Sequence, residues 1–157
     1  MLLVFIPFFL TVKGIFSATS CPDGFEPHHG SCYFFSHDKE TWTGAYQSCK
    51  IFDAMLVEVN SADEDAYLSS KARTLGNYWY IGLSDKLVEG EYIWESSLQV
   101  LTGDAFSNWG VGEPNGAGDE DCVVYAPSIN YQWGDVICTR TEHYICEKSA
   151  DNEQIVG

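Results

Sequence analysis

The sequence predicts an α+β fold in one domain. Three observations carry that expectation: two amphipathic helix signatures stand early in the chain, short strand-like runs follow them, and those strands enclose one long polar loop. The 157 residues suffice for a single compact core, and 45% hydrophobic with 15% aromatic content is too apolar for a mostly disordered chain. Eight basic against 23 acidic residues give a formal charge of −15. Such a field repels phosphate backbones, which argues against nucleic acid as a partner and suits metal cations or a solvated secreted surface.

Met1 to Val12 is almost wholly apolar but too short for a span of about 20 residues. Small residues follow at Ser17, Ala18, Thr19 and Ser20, so residues 1–20 read as a signal peptide cleaved after Ala18 or Ser20. The competing reading is a buried N-terminal strand or helix. Cleavage removes Lys13 and leaves seven basic against 23 acidic residues, a charge of −16. No later apolar run is long enough to span a bilayer, so a secreted, extracellular protein is expected. The domain is expected over residues 21–148, with a flexible acidic tail at 149–157.

The six cysteines are Cys21, Cys32, Cys49, Cys122, Cys138 and Cys146, all beyond the cleavage point. In an oxidising compartment they form three disulfides, with 15 connectivities open from counting alone. Zinc is disfavoured because no two cysteines are closer than eight positions. No N-glycosylation sequon occurs.

Ser31 to Ser36 reads as a strand. Trp42, Ala45, Tyr46, Cys49 and Phe52 fall at i, i+3, i+4, i+7 and i+10, one face of a helix whose aromatics belong to the core. A second helix starts at the cap Ser61, with Glu64 closing a capping box. Asp63, Glu64 and Asp65 complement the positive end of its dipole, Lys71 and Arg73 lie toward the other end, and Gly76 terminates it. These charges read as helix electrostatics. Tyr78–Leu83, Tyr92–Trp94, Val123–Tyr125 and His143–Glu147 read as short strands. Between the second and third of these lies Leu101 to Asp121, a length of loop that is functional or disordered.

That loop holds the densest oxygen chemistry in the chain. Glu113, Asn115, Asp119, Glu120 and Asp121 place four carboxylates and one amide within nine positions, and Asp135 follows. Hard oxygen donors without imidazole or thiolate favour calcium over zinc or copper. The alternative is a solvated acidic loop. The spacing is not that of an EF-hand, and Gly110-Val-Gly112 lacks the third glycine of a dinucleotide fingerprint. No nucleophile elbow or zinc-protease helix occurs, and His28, His29, His37 and His143 are scattered. A Glu113–Glu120 acid/base pair on one loop lacks the water-excluding cleft that glycoside hydrolysis needs. No catalytic residues are assigned; the sequence points away from an enzyme.

Taken in order, these residues resemble the C-type lectin-like domain from Cys21 to Glu147. Tyr80-Ile-Gly-Leu83 is similar to that family's Trp-Ile-Gly-Leu strand, and Asn108-Trp109 precedes the ligand loop. Glu113-Pro114-Asn115 resembles the Glu-Pro-Asn motif of mannose-type members, and Trp133-Gly134-Asp135 resembles their Trp-Asn-Asp motif with one change. The resemblance implies two helices, two small antiparallel sheets, a long calcium- and ligand-binding loop, and the long form of the domain. It also implies the pairings Cys21–Cys32, Cys49–Cys146 and Cys122–Cys138, and a cis bond before Pro114.

The resemblance further implies a Ca2+ held jointly by Glu113, Asn115, Glu120, Asp135 and two vicinal sugar hydroxyls, so that these four residues are both the metal and the sugar-binding set. Glu-Pro-Asn order goes in the family with equatorial 3- and 4-hydroxyls, as in mannose, glucose and N-acetylglucosamine. An auxiliary calcium site would use Asp85, Glu89 and Asp121. This sequence departs from the pattern at Gly134, which removes a calcium oxygen and a sugar contact, and at Gly116, which replaces an acidic auxiliary ligand. The loop to Cys122 is also one residue shorter. The expected function is a secreted mannose-type lectin, by family analogy recognising microbial glycans in innate immunity, with clustered copies supplying avidity. The alternative is an acidic matrix, biomineral-associated or protein-binding protein of the same fold, with weak or no sugar binding.

Overall fold

A computed structural model describes residues 19–116 and 118–152; the leader expected at 1–20 lies outside them except for its last two positions. The elements in chain order are β1 (Thr19–Ser20), β2 (Glu26–His28), β3 (Ser31–Phe35), α1 (Trp42–Ile51), β4 (Met55–Leu56), α2 (Ala62–Leu75), β5 (Trp79–Ser84), β6 (Ile93–Trp94), β7 (Cys122–Ala126), a 3-10 turn (Pro127–Ile129), β8 (Gln132–Val136), β9 (His143–Ser149) and β10 (Asp151–Asn152).

Both helices start as the sequence predicts. Thr41 caps α1, its side chain accepting from the Gly44 N–H at 3.2 Å, and the apolar face buries Trp42, Ala45 and Cys49. Phe52 falls just beyond the helix and is half exposed, packing on Phe25 and Phe34 instead. Ser61 caps α2 by accepting from Glu64 N at 3.2 Å. The Glu64 carboxylate returns the bond to Asn60 N at 2.9 Å, one residue earlier than a standard capping box.

The main sheet runs β2-β3-β9-β5-β7-β8, with β4 added to β9 and β6 to β5. The two antiparallel sheets implied by the resemblance are therefore joined: β5 and β9 pair in parallel through Trp79–His143 and Tyr80–Tyr144. β8 and the hairpin strand β2 carry too little apolar alternation to be read from sequence. In the β2–β3 hairpin both loop residues, His29 (φ 46°) and Gly30 (φ 88°), are left-handed, the geometry of a two-residue turn matched to strand twist. Of the tail expected at 149–157, Ser149 closes β9 and Asp151–Asn152 form β10, paired with β1; the rest lies outside the described residues.

All six residues of β5 are buried because its two faces meet different cores. Trp79, Ile81 and Leu83 point into a cluster with Leu68 of α2, Val123, Tyr125 and Trp133, while Tyr80 joins Trp42, Cys49, Val124 and Tyr144 on the α1 side. Gly82 sits where β5 crosses the segment after β4: a Cβ there would lie 2.8 Å from Leu56 O and 3.1 Å from Val57 O, both backbone. Its N–H donates to Val57 O at 2.8 Å, so the close approach is itself a bond. The three disulfides pair as the resemblance implies. Cys49–Cys146 fastens α1 to β9, and Cys122–Cys138 braces β7 against the segment after β8.

Candidate functional site: the oxygen-rich loop and the edge of β8

The long loop has little regular structure but is not loose. Tyr92 and Phe106, Trp109 and Trp133 form an edge-to-face cluster with ring centroids 4.9–5.9 Å apart. Trp133 N donates to Asn108 O at 2.8 Å, and Gly110 N donates to Trp133 O at 2.9 Å. The loop is thereby laid along β8, and Glu113 N closes its next turn onto Gly110 O at 2.9 Å. The Glu113–Pro114 bond is cis, as the resemblance implies.

Three expected ligands converge. Asp135, buried on β8, accepts from Asn115 N at 3.2 Å and Gly116 N at 3.1 Å. Asn115 Nδ2 donates to the two Glu113 carboxylate oxygens at 3.3 and 3.2 Å. Burial, then a hydrogen bond with Asp135, raises the Glu113 pKa above the usual carboxylate range. Burial works against the Asp135 charge too, but the bonds from Glu113, Asn115 N and Gly116 N outweigh it and hold its pKa low. Glu120 is half-buried nearby in sequence, but among the described residues no three acidic, histidine or cysteine side chains stand together as a metal-holding group.

The expected auxiliary residues form a second acidic patch. Asp85 N donates to Asp121 O at 3.1 Å, and Asp85 Oδ2 accepts from Gly90 N at 2.8 Å. Asp85 Oδ1 is buried with no hydrogen-bond partner. Its pKa is raised by burial and by the charges of Asp121 and Asp135. The exposed Glu89 is raised chiefly by the charge of Asp85, then by slight burial and by Asp121, Asp135 and Asp119. Gly116 lies beside it, a Cβ there standing 3.7 Å from Glu89 Oε1.

Two site residues escaped the sequence reading. Tyr92 donates its hydroxyl to Asp135 Oδ2 at 3.1 Å, a role that no spacing rule signals. Ile129 crosses over Gly110 and Gly134, where a Cβ would meet its Cδ1 at 2.5 and 3.2 Å. The pair of glycines at the loop's root was the available sign.

A disulfide-stapled α+β domain with an oxygen-rich loop laid on its sheet edge is the architecture of C-type lectin-like domains, which are binding modules rather than enzymes. The chain belongs to this family: the Lectin C-type domain model matches residues 38–148. It is 30% identical to a perlucin-like protein of Mytilus galloprovincialis, over 92% of this chain and 94% of that one. It is 35% identical to perlucin of Haliotis laevigata, over 82% and 83%. Among solved structures, the carbohydrate-recognition domain of the mouse scavenger receptor C-type lectin is 28% identical, with TM-score 0.76 over 83% of this chain and 98% of that one. The cow CD23 domain, determined in the presence of a GlcNAc2Man3 oligosaccharide, is 31% identical, with TM-score 0.75 over 85% and 99%. A calcium-independent type II antifreeze protein shares the fold at 24% identity, TM-score 0.75, over 85% and 98%. No helix among the described residues is long and apolar enough to cross a membrane.

Proposed function

We propose that this chain is a secreted, calcium-dependent lectin of the mannose type. The observation that carries the reading is the convergence of Glu113, Asn115 and Asp135 on one another across the loop and β8. Their donor set is all oxygen and partly buried, which fits a hard cation and no softer metal. Glu120 would complete the set as the loop adjusts, and Asp85, Glu89 and Asp121 would hold an auxiliary ion. The unpartnered, buried Asp85 Oδ1 supports that second assignment. When bound, calcium supplies a Lewis-acidic centre that accepts lone pairs from two vicinal hydroxyls.

This chain's own groups do the rest. Glu113 accepts a hydrogen bond from a sugar hydroxyl, while the Asn115 amide can also donate. Tyr92 and the N–H groups of Asn115 and Gly116 hold Asp135 ionised and in place. That the related cow CD23 domain was determined in the presence of a GlcNAc2Man3 oligosaccharide supports a glycan as the ligand class. Such a site is weak alone, so clustered copies would supply useful avidity on microbial or other mannose-like glycans.

Titration calorimetry with mannose and with galactose, in millimolar calcium and again after EDTA, tests the reading. Mannose heat abolished by EDTA is expected. Heat with galactose alone overturns the sugar class, and calcium binding without sugar heat overturns the lectin.

The mutual charge repulsion among Asp85, Glu89, Asp119, Asp121 and Asp135 favours one second reading. It is an acidic matrix- or mineral-associated protein, or a protein binder. Diffuse charge binding falls steeply with ionic strength, whereas coordinated sugar binding does not.

A further inference from the structure

The groups that flank Glu113 are chemically unequal. Glu113 meets the Asn115 amide and the Asp135 carboxylate. It also stands by Gly134, whose Cβ position would lie 3.6 Å from Glu113 Cδ and 3.7 Å from Cγ. Gly134 has no side chain to offer, and the atom nearest that position is Ile129 Cδ1, at 3.2 Å. The same methyl would stand 2.5 Å from a Cβ at Gly110, whose carbonyl anchors the Glu113 turn. Ile129 therefore lies across both glycines, and each glycine makes room for it.

The turn that presents Ile129 is fixed. It closes with Tyr131 N donating to Ala126 O at 2.9 Å, after left-handed residues Asn130 (φ 59°) and Tyr131 (φ 57°). From α2, Arg73 donates to the Asn130 carbonyl at 2.9 Å and to its Oδ1 at 3.1 Å. Ile129 itself is only partly buried.

We infer that Ile129 is a specificity-determining residue, an apolar wall on the Gly134 side of Glu113 that favours vicinal-diol sugars turning a methyl toward it over those turning a hydroxyl. The inference rests on the lectin reading above. A hydroxyl brought against this methyl loses its water and gains no partner, whereas a methyl gains burial. The ligand class is a deoxy or N-acetyl sugar with its diol free.

The experiment has two arms. Calorimetry in calcium compares matched sugars, 6-deoxy-D-mannose against D-mannose and N-acetylglucosamine against glucose. The wild type is expected to prefer the methyl-bearing member of at least one pair by about fivefold, the worth of roughly one buried methyl. Ile129→Thr is expected to bring that ratio near one while mannose still binds. The second arm needs no ligand. In unfolding midpoints, Ile129→Val, which deletes Cδ1, is expected to cost the Gly134→Asn variant less than it costs the wild type.

A preference that survives Ile129→Thr, or no preference in either pair while both sugars bind, overturns the inference and leaves the lectin standing. Absence of any sugar heat in the wild type overturns both. An equal or larger cost of Ile129→Val in the Gly134→Asn variant overturns the placement of the wall.

Discussion

Asp65 of α2 and Trp133 of β8 are joined by a buried hydrogen bond, Nε1 to Oδ1 at 2.9 Å. The same oxygen accepts from Tyr125 OH at 2.8 Å, and Oδ2 accepts from Asn108 Nδ2 at 2.7 Å. One carboxylate thus ties α2, β7, β8 and the root of the ligand loop together. Burial raises its pKa against the pull of these three donors. Asp65→Ala would orphan all three, at a cost of about 3 kcal/mol or more in urea unfolding. Asp65→Asn is expected to cost less, roughly 1 kcal/mol, by setting its amide against that of Asn108. Asn108 cannot simply turn over, because its Oδ1 already accepts from Gln132 Nε2 at 3.0 Å. A loss below about 1 kcal/mol for the alanine variant would count against this anchor.

Gly82→Ala is expected to destabilise the domain by about 1–3 kcal/mol. The added methyl meets backbone carbonyls of Leu56 and Val57 and not a movable side-chain tip. Relief requires β5 to part from the Val57 carbonyl its own N–H binds. Ala at Gly103, which faces open space, is the control. Equal midpoints for the two variants would refute the crowding.

These two residues mark where sequence reading succeeds and where it stops. The helices were legible because their signals are local: the apolar spacing of the first, and the cap Ser61 and terminator Gly76 of the second, act within their own turns. The Tyr78–Leu83 strand was legible from its own residues and the three disulfides from their count, but the Gly82 crossing was not legible and the pairing came only from the resemblance, since neither that crossing nor the Cys49–Cys146 link is a local event. Asp65 was misjudged: it looks like one more first-turn acid, yet its side chain points inward at donors up to 68 residues away. The ligand loop's composition pointed to oxygen ligation, and Glu113, Asn115 and Asp135 do meet. Ile129 and Tyr92 were illegible because their relation to the site exists only once β7 and β8 fold back along the loop.

Asp85 gives a prediction that separates stability from ion binding. Its raised pKa means that the ionised form costs stability in the folded chain, a cost present at neutral pH and lost as the carboxyl protonates. In EDTA, Asp85→Asn should therefore raise the unfolding midpoint. In millimolar calcium the order should reverse, because the wild type alone gains a ligand with a free, buried oxygen. Midpoints that shift equally with calcium in both proteins would remove Asp85 from the auxiliary site.

Glu147 should make stability fall as pH rises, opposite to the behaviour of most acids. It sits on β9 between Tyr33 of β3 and Met55 of β4, and Oε1 accepts from Ser31 Oγ at 2.8 Å. Burial first, with the charges of Glu64 and Glu58 adding, pushes its pKa from the usual 4.5 to about 7. Between those values the folded chain holds a proton that the unfolded chain has released. The stabilisation is therefore complete below pH ~4.5 and lost as pH rises through ~7. Its ceiling is roughly 3 kcal/mol for a shift of this size. Glu147→Gln keeps an acceptor for Ser31 and carries no titrating charge, so its stability should vary less over the same range. Urea unfolding in EDTA at pH 5 and pH 8 reads the difference directly. The wild type is expected to lose more stability than the variant between the two, and parallel losses would show that Glu147 is not the titrating group.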